Sequence, residues 1–440
     1  NCVKAHFNLG LALLLTGDLP RGFAEYEWRW ETDQAKKLQR VHFQQPLWDG
    51  SDLDGKTILL RSEQGLGDAI QFVRYAGIVK SKGGKIVVSC YQELKRLFKQ
   101  IPGIEQVAVK IEDLPEFQVQ APLMSLPYIL GTNLDNIPAN IPYLAAPSNW
   151  QFSLESDRNL KVGIVWAGSS EHLKDFQRSC YLSYFLKLLD VVGASFYSLQ
   201  KQVSAADSLR DSYASRTLLN QIPVTDLSDN LNDFADTAAV ISQLDLVICV
   251  DTAVAHLAGA LGKPVWILLS FMPDWRWLLE REDSPWYPTA RLFRQQKAGD
   301  WDEVFDRIKT ALQEIAIAGN PVGAVPPCPP SPRYQALPGN ADPEAPPRIH
   351  LSPSEIEFNI ANTLQIQGQL EEAATRYERV IAVNPRHAEA HSYLGFIKQK
   401  KGELLSAIAH YQQAIEINPK SGETNLYLGC ALEDSGQVVE

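Results

Sequence analysis

Apolar residues fall along this chain in short runs separated by stretches with helical spacing. The clearest run is Leu246-Val247-Ile248-Cys249-Val250, apolar without alternation, as in a parallel strand buried on both faces. Asp251-Thr252 follows, and both side chains are short acceptors of the kind that take up free N–H groups at a helix start. The helix expected next runs to Ala260, with Ala255, Ala258 and Gly259 making one face small enough to lie close to a sheet. Gly262 stops it, Pro264 turns the chain, and Val265-Trp266-Ile267-Leu268-Leu269 starts another strand. This strand–helix–strand unit sets a helix N-terminus, with its partial positive charge, at the carboxyl edge of a sheet, where phosphates bind. His256 lies in the first turns of that helix. It is either a ligand contact or a core histidine bonded to a nearby carbonyl.

Two α/β halves surround this unit. Thr57-Ile58-Leu59-Leu60-Arg61 reads as a strand, and the following SEQGLGDAIQF turns through Gly65 and Gly67 into a helix. Further strands are expected at Lys85 to Ser89, near Val107 and at Phe117 to Val119, with a helix from Tyr91 to Gln100 between the first two. Pro138, Pro142 and Pro147 mark a linker, and Lys161-Val162-Gly163-Ile164-Val165-Trp166 opens the second half. That half continues with a strand from Ser195 to Leu199, a strand near Val224, a helix from Phe234 and a closing helix from Trp301 to Ile315.

Asp68 is a carboxylate on a Gly-rich turn at the carboxyl end of the first strand. It is a helix cap or a reacting group, and both readings stand at this point. The loop after Trp166, AGSSEHLKDFQRS, carries Ser169, Ser170, His172, Lys174 and Arg178, and Lys201 follows a later strand. Hydroxyls and cations at strand ends suit an anionic ligand, and the alternative is a solvated surface loop. Trp275, Trp277, Trp286 and Tyr287 are candidates for stacking on a ligand or for packing between the halves, packing being the stronger reading. The G-x-G at Gly65 and Gly67 has Ile70 at the third glycine position, so it is no dinucleotide fingerprint.

Helical repeats flank this core. Ala361, Gly395 and Gly429 are 34 residues apart, as are Gly368, Gly402 and Gly436; Ala373 and Ala407, Tyr377 and Tyr411, and Pro385 and Pro419 keep the same step. That period resembles tetratricopeptide repeats, two complete and one cut after its first helix at Glu440. Residues 5 to 30 carry a weaker copy: Ala5, Gly10, Gly17, Gly22 and Tyr26 fit, but Arg29 stands where a small residue is usual. It reads as a terminal repeat whose second helix caps the next domain. Pro321 to Pro347 is proline-rich without apolar periodicity, an extended linker.

The net charge of −11 argues against a nucleic-acid binder, whose affinity rests on a basic surface. No apolar run reaches the roughly 18 to 20 residues of a membrane span. Six cysteines without a CxxC pair fit free thiols in a reducing compartment, hence a cytoplasmic location. The chain opens on Asn1, as a piece of a longer protein does.

Residues 46 to 316 resemble the GT-B glycosyltransferases of the heptosyltransferase family (family nine), and more closely the bacterial proteins that join such a domain to tetratricopeptide repeats. GLGDAIQF at 65–72, GIVWAG at 163–168 and VDTAVAHLAGALGKPVW at 250–266 carry the likeness, and DWRWLLEREDSPWYP at 274–288 points to the repeat-linked group. The resemblance implies an α/β fold of GT-B type, two facing Rossmann-like domains flanked by all-α repeats. The expected domains are a terminal helical hairpin and connector (1–45), an acceptor-side domain (46–150), a nucleotide-sugar domain (151–320), a Pro-rich linker (321–350) and repeats (351–440).

It also implies roles. Asp68 falls on the family's base, on the glycine loop of Gly65 and Gly67. Asp251, Thr252, Ala253 and His256 fall on the segment that cradles the nucleotide sugar, where Ala253 replaces the family's usual glycine. Gly168, Lys174, Arg178 and Lys201 are the further donor-binding candidates. The expected activity is inverting transfer from a nucleotide sugar to a glycan or protein acceptor, without a metal or other cofactor, with the repeats recruiting partners. The alternative is a non-catalytic repeat scaffold with a degenerate GT-B domain.

Overall fold

The computed structural model describes residues 3–32, 43–148, 150, 152–154, 158–169, 175–201, 219–317, 357–358, 361, 364–365, 370–419 and 421–435. The chain divides into two compact units, Asn1–Gln335 and Ala336–Glu440. The Pro-rich stretch 321–350 lies outside the described residues.

Two parallel sheets form the α/β part of the first unit. Strands β1 (Thr57–Arg61), β2 (Lys85–Ser89), β3 (Ile104–Ala108) and β4 (Val119–Pro122) lie in the order β3-β2-β1-β4. The second sheet holds β5 (Leu160–Val165), β6 (Ala194–Ser198), β7 (Val224–Asp226), β8 (Leu246–Val250), β9 (Val265–Leu269) and β10 (Ala290–Arg294), in the order β10-β9-β8-β5-β6-β7. Neighbours pair in parallel throughout. In each sheet the chain winds to one side of its first strand and then to the other, so strand order reverses beside β1 and beside β5. Open α/β sheets bind ligands outside the carboxyl ends of strands at such a reversal. In the second sheet that point lies between β5 and β8, where Val165 stands opposite Cys249.

The run at β8 lacks alternation because both its faces are covered. Leu246, Ile248 and Val250 pack with Trp266, Leu268, Phe293 and the helix Trp301–Ile317. Val247 and Cys249 face the opposite core, which continues into the first sheet and the N-terminal helices. Strand β4 begins two residues after the expected Phe117, whose ring meets Phe43 edge-on at 5.3 Å. The expected helix over 91–100 is a 3-10 turn, Gln92–Leu94, running into one α turn, Lys95–Phe98.

The N-terminal hairpin consists of helices Val3–Thr16 and Leu19–Tyr26 and a 3-10 turn, Glu27–Glu31. Arg29 on that turn is 4% exposed and donates to Glu63 at 2.8 and 3.2 Å and to Ser125 at 2.8 Å. Glu63 follows β1 and Ser125 follows β4. The residue that breaks the repeat pattern therefore helps to fasten the hairpin to the carboxyl edge of the first sheet, alongside Tyr26, bonded to Gln64, and Glu27, bonded to Ser125.

In the second unit, helices Leu370–Val383, Ala388–Lys400, Leu404–Ile417 and Gly422–Asp434 follow one another. The 34-residue step reappears as geometry: the Tyr377 hydroxyl donates to Gln365 Oε1 at 2.8 Å and the Tyr411 hydroxyl to Gln399 Oε1 at 2.9 Å. Paired helices also share a polar contact 19 residues apart, Glu357–Arg376 at 2.9 Å and His391–His410 at 3.2 Å. Among the described residues no helix is long and apolar enough to cross a membrane.

Candidate active site

At the reversal point of the second sheet, Asp251 follows β8 and the helix Ala253–Ala260 begins with Thr252 as its N-cap. No side-chain cap bond forms there, contrary to the sequence expectation. The Thr252 side chain turns inward, 7% exposed, and its Oγ1 is buried without a partner. Ala253, with a helical backbone, is the first residue of the helix. Arg178, the last residue of the short helix Asp175–Arg178 after β5, donates through Nη1 to the Asp251 carbonyl at 3.0 Å and through Nε to Asp175 at 3.2 Å. A Cβ on Gly168 would lie 2.4 Å from Arg178 Nη2, so glycine there leaves room for the guanidinium. Burial, reinforced by nearby Asp274, holds the Asp251 carboxyl above the ordinary carboxylate range, with Arg178 opposing.

At the edge of the first sheet, the turn after β1 takes its left-handed residue at Gln64, φ 59°, while Gly65 is extended. The helix Leu66–Phe72 follows, and Asp68 reaches back so that its Oδ2 accepts from Gly65 N at 2.8 Å. Asp68 is therefore not the N-cap, which is Gly65, but the third helical residue, and one of its oxygens caps by bonding back to Gly65 N. The other accepts from Arg276 Nη2. Burial raises the Asp68 carboxyl above its ordinary value, with Arg276 opposing. A Cβ on Gly67 would lie 2.9 Å from His256 Cδ2 and 3.5 Å from the Ala253 Cα. Gly67 therefore lets the starts of the two helices touch, one from each sheet.

The block 274–288 fills the seam beside this contact. Trp275, Trp277, Trp286 and Tyr287 are buried, and Phe72 meets Trp286 edge-on at 5.9 Å. Packing is what these aromatics do. His256 Nδ1 lies 2.9 Å from the Tyr287 hydroxyl, the partner it has in place of a carbonyl, and its ring stacks on Trp277 at 5.3 Å. Burial, then the Arg276 charge, pulls the imidazole down to about 3, so it is neutral at pH 7.

Arg276 is the residue sequence reading missed. Its Nε donates to Gln71 Oε1 at 2.7 Å, its Nη1 to Asp274 at 2.7 Å and its Nη2 to Asp68, with the guanidinium 4.3 Å above the Trp275 ring. The only sequence signal was a cation inside an aromatic run, and the run reads as packing. Of the other candidates, Lys201 is exposed and donates to the Asn232 carbonyl at 3.1 Å. Lys174 lies outside the described residues, with Ser170 and His172.

The family model for glycosyltransferase family 9 (heptosyltransferase) matches residues 216–269, which include Asp251 to His256. Models for the TPR repeat and the tetratricopeptide repeat match 361–402 and 388–421. Protein FlbA of Caulobacter vibrioides is 27% identical over 327 residues, 69% of this chain and 54% of that protein. The chain thus spans about half the length of that relative. Among solved structures, the family 9 glycosyl transferase of Veillonella parvula is 11% identical, covering 62% of this chain and 100% of that one, with a TM-score of 0.43. The ADP-heptose lps heptosyltransferase II of E. coli is 13% identical, covering 60% and 99%, with a TM-score of 0.40. The chain thus joins a segment similar to glycosyltransferase family 9 (heptosyltransferase), residues 216–269, to tetratricopeptide repeats.

Proposed function

We propose that this chain is a GT-B-type glycosyltransferase, with β1–β4 and β5–β10 as its two Rossmann-like halves. It transfers a sugar from a nucleotide donor to a glycan or protein acceptor. The observation that carries the reading is the close approach, at Gly67, of the turn that bears Asp68 to the helix start after Thr252, one from each sheet edge. Such a transfer needs a base near the acceptor hydroxyl and positive or dipolar groups on the leaving diphosphate. Asp68 is the candidate base, its carboxyl raised above the ordinary value by burial. The helix N-terminus, with Arg178 beside it, receives the diphosphate. One carboxylate suffices for inversion, because no covalent intermediate forms. The helix dipole and arginines take the leaving charge that a divalent cation takes elsewhere, so activity persists in chelator. Heptose is one donor sugar the family description supports. The repeats recruit a protein partner or acceptor, and the buried thiols Cys90 and Cys249 are in keeping with a cytoplasmic location.

The test is nucleotide-sugar turnover by wild type and Asp68→Asn, with hydrolysis as the readout when the acceptor is unknown. Loss of about a hundredfold or more with donor binding retained supports the base assignment. Equal turnover in the variant removes Asp68 from the chemistry, and no turnover of any donor favours the scaffold reading.

A further inference from the structure

Asp68 is not poised as a base in this arrangement. Its Oδ2 holds Gly65 N and its Oδ1 holds the guanidinium of Arg276, whose side chain is only 8% exposed. A carboxylate neutralised by a buried guanidinium is a poor acceptor for a hydroxyl proton, because its charge is already spent on the nearer cation. Arg276 itself is held by two carboxylates, Asp68 and Asp274, and by Gln71 Oε1. Three of its five N–H donors are used, and two remain. Among the buried polar atoms without a partner, two belong to the helices that meet at Gly67. One is Gln71 Nε2, on the side chain whose carbonyl holds Arg276. The other is Thr252 Oγ1, at the helix start that Gly67 touches.

We propose that Arg276 binds the diphosphate of the donor, and that in the ligand-free chain it is parked on Asp68, so that donor binding releases the base. The inference rests on the reading of the site given above. A diphosphate carries more charge than one carboxylate and offers paired oxygens to the planar guanidinium fork, so it outcompetes Asp68 for Arg276. Asp274 keeps the arginine tethered at the seam while its Nη2 changes partner. Gln71 Nε2 and Thr252 Oγ1 are then the free donors beside the incoming oxygens. The arrangement imposes an order, donor before acceptor, because the base is masked until the diphosphate arrives.

The experiment is calorimetric titration of the full chain with ADP, UDP, GDP and CDP, comparing wild type, Asp68→Asn, Arg276→Lys and Arg276→Met. Arg276→Met is expected to weaken the best-bound diphosphate by about tenfold or more, with Arg276→Lys in between because it keeps charge and loses the fork. Asp68→Asn is expected to tighten the same diphosphate several-fold, because the competing carboxylate is gone. That opposite sign separates parking from a merely structural ion pair, whose loss from either side weakens binding or leaves it alone. The Asp68→Asn arm keeps the test decisive if Arg276→Met does not fold. A diphosphate that binds wild type and Arg276→Met equally, or binds Asp68→Asn more weakly, overturns the inference and leaves the site reading standing. No binding to wild type by any of the four overturns both.

Discussion

Replacing Arg29 by Met tests whether the N-terminal hairpin is a structural part of the α/β unit. Arg29 is 4% exposed and holds Glu63 through two hydrogen bonds, 2.8 and 3.2 Å, with Ser125 at 2.8 Å. The Glu63 side chain is 11% exposed, so water does not replace the lost partner. Breaking a buried pair from one side costs about 3–5 kcal/mol, because a charge is left buried and unpaired. Glu27, the other carboxylate on Arg29, is 27% exposed and rehydrates, which places the expected cost near the lower end. At about 2 °C per kcal/mol for a unit of this size, the calorimetric midpoint should fall by roughly 6 °C. Glu63→Gln alone should cost less, since Arg29 keeps Glu27, and Arg29→Met with Glu63→Gln should recover most of the loss. The deficit should also shrink on acidification. Burial already raises the Glu63 carboxyl, and removing Arg29 raises it further. The native state then binds a proton that the unfolded chain releases above its ordinary pKa, so stability falls as pH rises through the raised value. A midpoint shift under about 2 °C, or a double variant as unstable as the two singles summed, would refute the reasoning.

Gly67→Val places branched atoms where even a Cβ is 2.9 Å from His256, and should cost about 1–3 kcal/mol, read as a lower midpoint; an unchanged midpoint would deny the close helix contact. Gly168→Ala displaces the flexible end of Arg178 and should weaken nucleotide binding with little change in thermal stability, measured by titration and calorimetry side by side. His391 and His410 face each other through Nδ1 at 3.2 Å, and burial lowers both, with His387 and Lys398 adding repulsion. Their unfolded forms take protons first, so the repeats should lose stability as pH falls below about 6.5. Far-ultraviolet melts at pH 7.5 and 5.5 should show this in wild type and much less in a variant with His391→Asn and His410→Gln.

Strands β8 and β9 were readable because they are apolar on every residue and the turn between them carries Gly262 and Pro264, whereas the edge strand β10, with Arg291 and Arg294 among its five residues, was not. The repeats were readable because the same small residues return every 34 positions. Asp68 was legible as a candidate from its place after β1, but not its partner, because Arg276 stands 208 residues further along and no local pattern links them. The missing cap at Thr252 was illegible for a related reason. Its hydroxyl is buried and makes no cap bond, while the sequence records only a residue able to cap. Arg29 broke a repeat pattern, and that departure marked a docking residue whose partner, Glu63, lies in another element.

The measurement that tests the central claim most directly is thermal unfolding of the full chain with ADP-, UDP-, GDP- and CDP-sugars, in wild type and in Asp68→Ala. A donor at about a hundred times its Kd should stabilise the fold by roughly 2.7 kcal/mol. One nucleotide class should stabilise both proteins, with turnover confined to the wild type. A flat response to every donor in both proteins would contradict a nucleotide-sugar site at the Thr252 helix and leave the repeats as the working part of the chain.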